Sequence, residues 1–289
     1  MLRCCLLVLM ASSAPGESTA VLPPGPGSSE VGDIVIGYEV LGEGPPLVMI
    51  TGFGGTMDMW DPTVLSLLAD RFTLVLFDNR GMGLTSSGDA DFSIERFADD
   101  TAGLMEALGL GRADVLAWSM GTEIALELAL RHPGRVDCIV LYAGDCGMDV
   151  CPPSPEVLAD LYDTSGTPEE RGYRLLLRLF PGEWLDANLD YVLELFSGFG
   201  ETSPVESVDL QAAAMDSWPG AGNRLGEIDA PVLLLTGSDD VLTPPENSLI
   251  LLEGLPRAEL VEIEGGGHGV MYQYPDEFAA AVLTFLEGE

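Results

Sequence analysis

Ala117-Trp118-Ser119-Met120-Gly121 is the stretch on which the fold reading turns. It closes a strand-like apolar run, Val115–Trp118, and opens a helical pattern, Met120–Arg131, whose apolar positions include Ile124, Leu126, Leu128 and Leu130. Strand, sharp turn and helix in that order form the context of a nucleophile elbow. The turn lifts a serine hydroxyl above the sheet edge, and small residues flank it because neighbouring backbone comes close. The first small position, usually Gly, is Ala117 here. On its own the pattern is weak, since Ser119 also reads as a plain helix N-cap.

Working outward, short apolar runs alternate with helical patterns. The runs are Ile34–Val40, Leu47–Ile50, Thr73–Phe77, Val115–Trp118, Cys138–Tyr142, Val232–Leu235 and Leu260–Ile263. Helical patterns cover Pro62–Asp70, Ile94–Leu108, Met120–Arg131, Pro245–Leu255 and Asp276–Leu286. This alternation predicts an α/β fold: a mostly parallel central sheet flanked by helices on both faces. Ile34–Val40 shows polar/apolar alternation and reads as part of an antiparallel hairpin at the sheet edge. Between Asp145 and about Leu225 no strand is legible, only helical patterns at Glu156–Asp163, Pro168–Leu179 and Ala187–Phe196. That is too long for an ordinary loop. It predicts a helical lid over residues 145–225, inserted after the sixth strand. The core is then residues 31–144 and 226–289.

Four segments at strand ends could carry chemistry. Only two histidines are present. His132 precedes Pro133-Gly134 and reads as a structural residue at a helix C-terminus, where the dipole favours its proton. His268 lies in Glu264-Gly265-Gly266-Gly267-His268-Gly269, just after a strand, where a side chain can reach into a cleft. Leu235 to Pro244 ends a strand in Gly237-Ser238-Asp239-Asp240, and a carboxylate there can orient an imidazole. It also reads as a turn or cap carboxylate. Thr51-Gly52-Phe53-Gly54-Gly55 follows Leu47–Ile50, and consecutive glycines can aim backbone N–H groups at an oxyanion.

Glycine loop, Ser, Asp and His occur in that order, each at a strand end. From about residue 31 to 289 the chain resembles the α/β-hydrolases, in particular their serine esterase and haloperoxidase-like branch with a helical lid. The family's acid motif Gly-x-x-Asp-x-x-x-Pro is matched by Gly237, Asp240 and Pro244. Its Gly-His-Gly before Gln-x-Pro is matched by Gly267-His268-Gly269 and Gln273-Tyr274-Pro275, and its Asp-x-Arg-Gly-x-Gly by Asp78 to Gly83. The glycine loop resembles His-Gly-Phe-Gly-Gly with Thr51 in place of His. Gln211-Ala212 to Trp218 resembles the lid-exit segment of the same branch. The resemblance implies Ser119 as nucleophile, His268 as general base and Asp240 as its orienting acid, with Phe53 and Met120 supplying oxyanion N–H groups. Asp240 is preferred to Asp239 because it alone has the spacing to Pro244; Asp145 is a further alternative acid. Gly52, Gly54, Trp118 and Trp184 are the expected substrate-binding residues.

A Ser at the elbow argues against the dehalogenases and epoxide hydrolases of this fold, which use Asp, and against the dienelactone-type members, which use Cys. Carboxylesterase, lactonase, thioesterase, carbon–carbon bond hydrolase and cofactor-free perhydrolase or haloperoxidase stay open. The preferred reading is hydrolysis of small to medium, largely apolar carboxylic esters. A non-catalytic ligand-binding protein on a hydrolase scaffold is the main reading from another class; an intact Ser, Asp and His argue against it. A dinucleotide-binding oxidoreductase is rejected because Gly81-x-Gly83 lacks the third glycine of the fingerprint.

Composition narrows the partners. The 289 residues hold 47 acidic side chains against 12 basic ones, all Arg, for a net charge of -35. That charge argues against nucleic acid and anionic membrane surfaces as partners. Hydrophobic residues form 47 % of the chain, enough for a large core and too many for a disordered acidic chain. No metal and no cofactor is expected: two His without Cys neighbours do not make a zinc site. A small-molecule ester is the expected partner, without stable membrane insertion; a homodimer is left open. Residues 1–30 read as a leader or flexible tail. Arg3, the apolar run Cys4–Ala11 and small residues to Ala20 have the order of a secretory signal, so cytoplasmic and exported locations both stand. Residues 21–30 read as a linker, and Cys146 and Cys151 are close enough in sequence to pair.

Overall fold

The structure is a computed structural model and describes residues 22–147, 151–161, 165–196 and 203–288. In chain order its elements are β1 (Gly25–Val31), β2 (Ile34–Leu41), β3 (Pro46–Ile50), α1 (Pro62–Ala69), β4 (Thr73–Phe77), α2 (Ile94–Ala107), β5 (Ala113–Trp118), α3 (Met120–Arg131) and β6 (Val136–Tyr142). There follow α4 (Pro155–Leu161), α5 (Pro168–Leu179), α6 (Gly182–Leu195), α7 (Val205–Ser217), β7 (Val232–Gly237), α8 (Glu246–Gly254), β8 (Ala258–Ile263), α9 (Val270–Gln273) and α10 (Pro275–Glu287). The eight strands form one sheet in the order β1-β2-β4-β3-β5-β6-β7-β8. β2 runs antiparallel to β1 and β4, and every other pairing is parallel.

Both faces of the inner strands are covered, so they read as unbroken apolar runs. All five residues of β4 and all six of β7 are buried. Alternate side chains feed two cores. In β5, Val115 and Ala117 join the layer containing Phe97 and Leu104 of α2 and Ile124 and Leu128 of α3. Leu116 and Trp118 join the opposite layer with Val64 and Leu68 of α1 and Phe278 and Val282 of α10. Because the inner strands are parallel, their C-terminal ends share one edge, and the loops following β3, β5, β6, β7 and β8 gather there.

Two sequence expectations change. The linker and tail readings of residues 21–30 end at Gly25: Gly25–Val31 is β1, paired residue for residue with Val40 back to Ile34. Pro26 is tolerated there because β1 is an edge strand, where a missing N–H breaks no inner ladder. Within 145–225, α6 begins at Gly182, ahead of the expected Ala187; Asn188 has non-helical φ -123°, a kink that splits the periodicity. α7 joins the three expected helices of this stretch. The leader reading of residues 1–20 lies outside the described residues. Cys146 and Cys151 are both free thiols. Among the described residues no helix is long and apolar enough to cross a membrane.

Asp114, in β5, carries a testable electrostatic load. Its carboxylate accepts the Cys138 N–H at 3.1 Å. Burial, with Asp137 nearby, pushes its pKa up from 3.8 to about 6. The folded chain therefore holds this proton more tightly than the unfolded chain, and stability falls as pH rises through that window. Asp114→Asn keeps an acceptor for Cys138 and removes the charge. With solvent screening it is expected to add about 1–2 kcal/mol above pH 7, or roughly 3–6 °C in Tm, and to converge with the parent near pH 4. Thermal melts at both pH values check this.

Candidate active site

Ser119 sits between β5 and α3 with φ 55° and ψ -125°, a left-handed conformation that a non-glycine residue adopts only under strain. Its side chain makes no capping bond, so the plain N-cap reading does not account for the hydroxyl. Close packing explains the small neighbours. A Cβ on Gly121 would meet the Ile50 carbonyl oxygen at 2.5 Å, and one on Gly52 would meet Ser119 Cβ at 2.9 Å. Ala117 is fully buried at the position where Gly is usual.

His268 and Asp240 meet at the same edge. His268 Nδ1 is 2.9 Å from Asp240 Oδ2, with both side chains buried. Asp240 Oδ1 accepts the Leu242 and Thr243 N–H groups at 2.9 and 2.8 Å. One carboxylate is therefore both turn cap and histidine partner. Asp239 is exposed, and Asp145 accepts the Gly147 N–H at 2.7 Å with no bond to His268. Burial pushes the Asp145 carboxyl up and raises that of Glu123, in the first turn of α3, still further.

Tyr142, at the end of β6, ties the two halves together. Its carbonyl accepts the Ser119 N–H at 3.0 Å, and its hydroxyl donates to the His268 carbonyl. Gln273 folds the glycine-rich loop by accepting the Gly267 N–H at 2.6 Å and donating to the Gly265 carbonyl at 3.2 Å. That is the physical content of the Gln-x-Pro motif. Tyr142 leaves no mark in the sequence beyond its place at a strand end.

Phe53 lies in the loop following β3, and Met120 is the first residue of α3, just past β5. Met120 opens α3, so its N–H belongs to the first-turn donors with no intrahelical acceptor. Gly52 abuts Ser119, while the Gly54 N–H bonds to Gln211 Oε1 at 2.9 Å. Thr51 is held by Asn79 Nδ2, which lies 3.2 Å from its carbonyl and 3.3 Å from its hydroxyl. Trp118 is buried, stacked on Tyr142 at 5.8 Å, with its ring 5.9 Å from that of His268. Trp184, on α6, stacks on Phe180 at 5.1 Å, and Phe180 meets Tyr272 at 6.1 Å. His132 caps α3 and bonds Asp99 at 2.8 Å, a structural position. A separate cavity of about 380 Å³ opens at the opposite end of the sheet, lined by Arg112, Asp137, Asp229 and Arg257 among others; it holds none of these residues. Among the described residues no cluster of three His, Cys, Asp or Glu side chains could hold a metal ion.

Strand order, the strained turn ahead of α3 and the histidine loop after β8 together define an α/β-hydrolase. The chain belongs to the alpha/beta hydrolase family. The family described as alpha/beta hydrolase fold matches residues 45–181, and one described as TAP-like protein matches residues 210–288. The chain is 33% identical to a putative carbamate hydrolase RutD of Caulobacter sp. (strain K31), over 84% of this chain and 91% of that one. It is 32% identical to a putative non-heme bromoperoxidase BpoC of Mycobacterium tuberculosis, over 88% and 98%. Among solved structures, a thermophilic esterase from Thermogutta terrifontis superposes with TM-score 0.75 at 25% identity, over 88% of this chain and 94% of that one.

Proposed function

We propose that this protein is a serine hydrolase that cleaves carboxylic esters of small to medium, largely apolar substrates through an acyl-enzyme. The bond between His268 and Asp240, on the sheet edge that carries the strained Ser119, supports this reading most. Ser119 Oγ attacks the carbonyl carbon while His268 Nε2 takes its proton. The oxyanion accepts from the Phe53 and Met120 N–H groups. His268 returns the proton to the leaving alcohol, and a water deprotonated by His268 then releases the acid and restores Ser119. Asp240 holds the tautomer with Nε2 free and offsets the imidazolium charge.

The helices between β6 and β7 act as the lid. Their aromatic residues Phe180, Trp184 and Phe196 supply the apolar acyl wall: Phe180 and Phe196 meet Tyr272, and Trp184 stacks on Phe180. Gly52 and Gly54 shape the loop beneath the substrate's carbonyl end, and Trp118 backs His268. With 12 basic residues against 47 acidic ones, a phosphate-bearing acyl carrier finds little to bind. A panel of p-nitrophenyl esters, lactones, carbamates and thioesters is expected to show short-chain aryl esters turned over faster than CoA thioesters. The reverse order would overturn the substrate class.

The similarity to a putative bromoperoxidase favours one second reading. Hydrogen peroxide replaces water at the acyl-enzyme, His268 takes its proton, and a peracid leaves. Halide oxidation that requires both a carboxylic acid and peroxide, and that is lost in Ser119→Ala, would mark that activity.

A further inference from the structure

We infer that Gln211, on α7, is a positioning residue for the oxyanion loop, linking the inserted helices to the donor that would meet the substrate's oxyanion. The inference rests on the proposed role of Phe53. Gly54, next in the chain, has φ 67°, a left-handed turn that swings the loop back, and a Cβ there would stand in open space. Both polar groups of Gly54 are gripped by residues 149 and 157 positions further along the chain. Its N–H donates to Gln211 Oε1 at 2.9 Å, and its carbonyl accepts from Ser203 Oγ at 3.0 Å. Upstream, the Gly52 carbonyl accepts the Gly55 N–H at 3.2 Å. The Gly52 carbonyl and the Phe53 N–H share one planar peptide. The aim of the Phe53 donor is therefore set by the loop's own turn on one side and by Gln211 and Ser203 on the other.

The second observation concerns the other end of the same amide. Gln211 is fully buried, and its Nε2 has no partner among the described residues. An unpaired buried donor weakens a fold; a Met of the same length would remove it, but would also take the acceptor from the Gly54 N–H. A carboxamide kept there against stability is what a functional constraint on the Gly54 bond would produce. The rest of the buried face of α7 fits the same role: one turn before Gln211, Ser207 lies against Gly81, so the helix spans both loops that flank the site.

The test compares wild type, Gln211→Met and Ser203→Ala in steady-state turnover of a p-nitrophenyl ester, thermal melting and affinity for an alkyl boronic acid, which forms a tetrahedral adduct on an activated serine. Gln211→Met is expected to lower kcat by about 10- to 100-fold, with KM within threefold and Tm close to that of wild type, because one unpaired donor replaces another. Boronate affinity should fall by a similar factor. Ser203→Ala should move kcat in the same direction by less, and it keeps the question open to test if Gln211→Met does not fold. Wild-type kcat and boronate affinity in a folded Gln211→Met would overturn the inference. So would a loss of kcat matched by a lower Tm and a raised KM, which is the mark of a merely structural residue. Fluorophosphonate labelling that requires Ser119 tests the proposed function separately: labelling intact with Gln211→Met unaffected sinks the inference alone.

Discussion

Ser119→Ala is expected to lower ester turnover by at least about 10⁴-fold while leaving the far-ultraviolet circular dichroism and Tm of the parent. The size follows from what is removed: without the hydroxyl no acyl-enzyme forms, and the remaining oxyanion donors and binding surface supply only residual rate. The fold should survive because the Ser119 hydroxyl makes no capping bond and the turn is held by backbone, including the bond from the Ser119 N–H to the Tyr142 carbonyl. Removing the side chain also leaves a residue of similar shape in a left-handed position, so strain changes little. Initial rates on p-nitrophenyl acetate with purified protein, beside a fluorophosphonate label, decide the matter. Full activity in the variant would refute Ser119 as nucleophile, and absence of labelling in the parent would favour a non-catalytic scaffold.

Arg80→Met should be strongly destabilising. The Arg80 side chain is fully buried and holds two carboxylates with paired bonds. Nε and Nη2 reach Asp100 at 2.8 Å each, Nη2 and Nη1 reach Asp33 at 2.8 and 3.1 Å, and Nη1 also donates to the Ser87 carbonyl at 3.0 Å. One cation thus fastens the β1–β2 turn, α2 and the loop after β4. Methionine fills much of the volume but leaves the Asp100 charge buried and unpaired, which costs about 3–5 kcal/mol. That corresponds to a Tm lower by roughly 6–20 °C for a chain of this size. Burial already pushes the Asp100 carboxyl up despite Arg80. Without the guanidinium it rises further in the folded state, so the folded variant gains from protonation as pH falls. The deficit should therefore be smaller at pH 5 than at pH 8. A Tm within 2 °C of the parent at both pH values would show that the network contributes little.

The sites of these two predictions were legible in the sequence to different depths. Ser119, His268 and Asp240 stand in short motifs whose glycines are demanded by local contacts, such as Gly121 against the Ile50 carbonyl, so chemistry and spacing travel together. Arg80 was visible as a motif member, but its partners were not: Asp33 and Asp100 lie 47 and 20 residues away, with no spacing rule to mark them. Gln211 carries no sequence signal of its own, because its bond to Gly54 crosses 157 residues.

Periodicity and punctuation determined the layered α/β order by themselves. Inner strands buried on both faces become apolar runs, helices acquire one apolar face, and Gly and Pro mark the ends; all of these are local consequences of burial. Tertiary structure decided the rest. It made Gly25–Val31 a strand, since backbone pairing with β2 asks little of the side chains involved. It set Asp240 beside His268, buried with three donors around it, and turned Asp239 to solvent. It joined Ser119 to His268 through Tyr142. Contacts between distant segments are settled by which surfaces meet when the sheet closes, and no window of neighbouring residues contains that information.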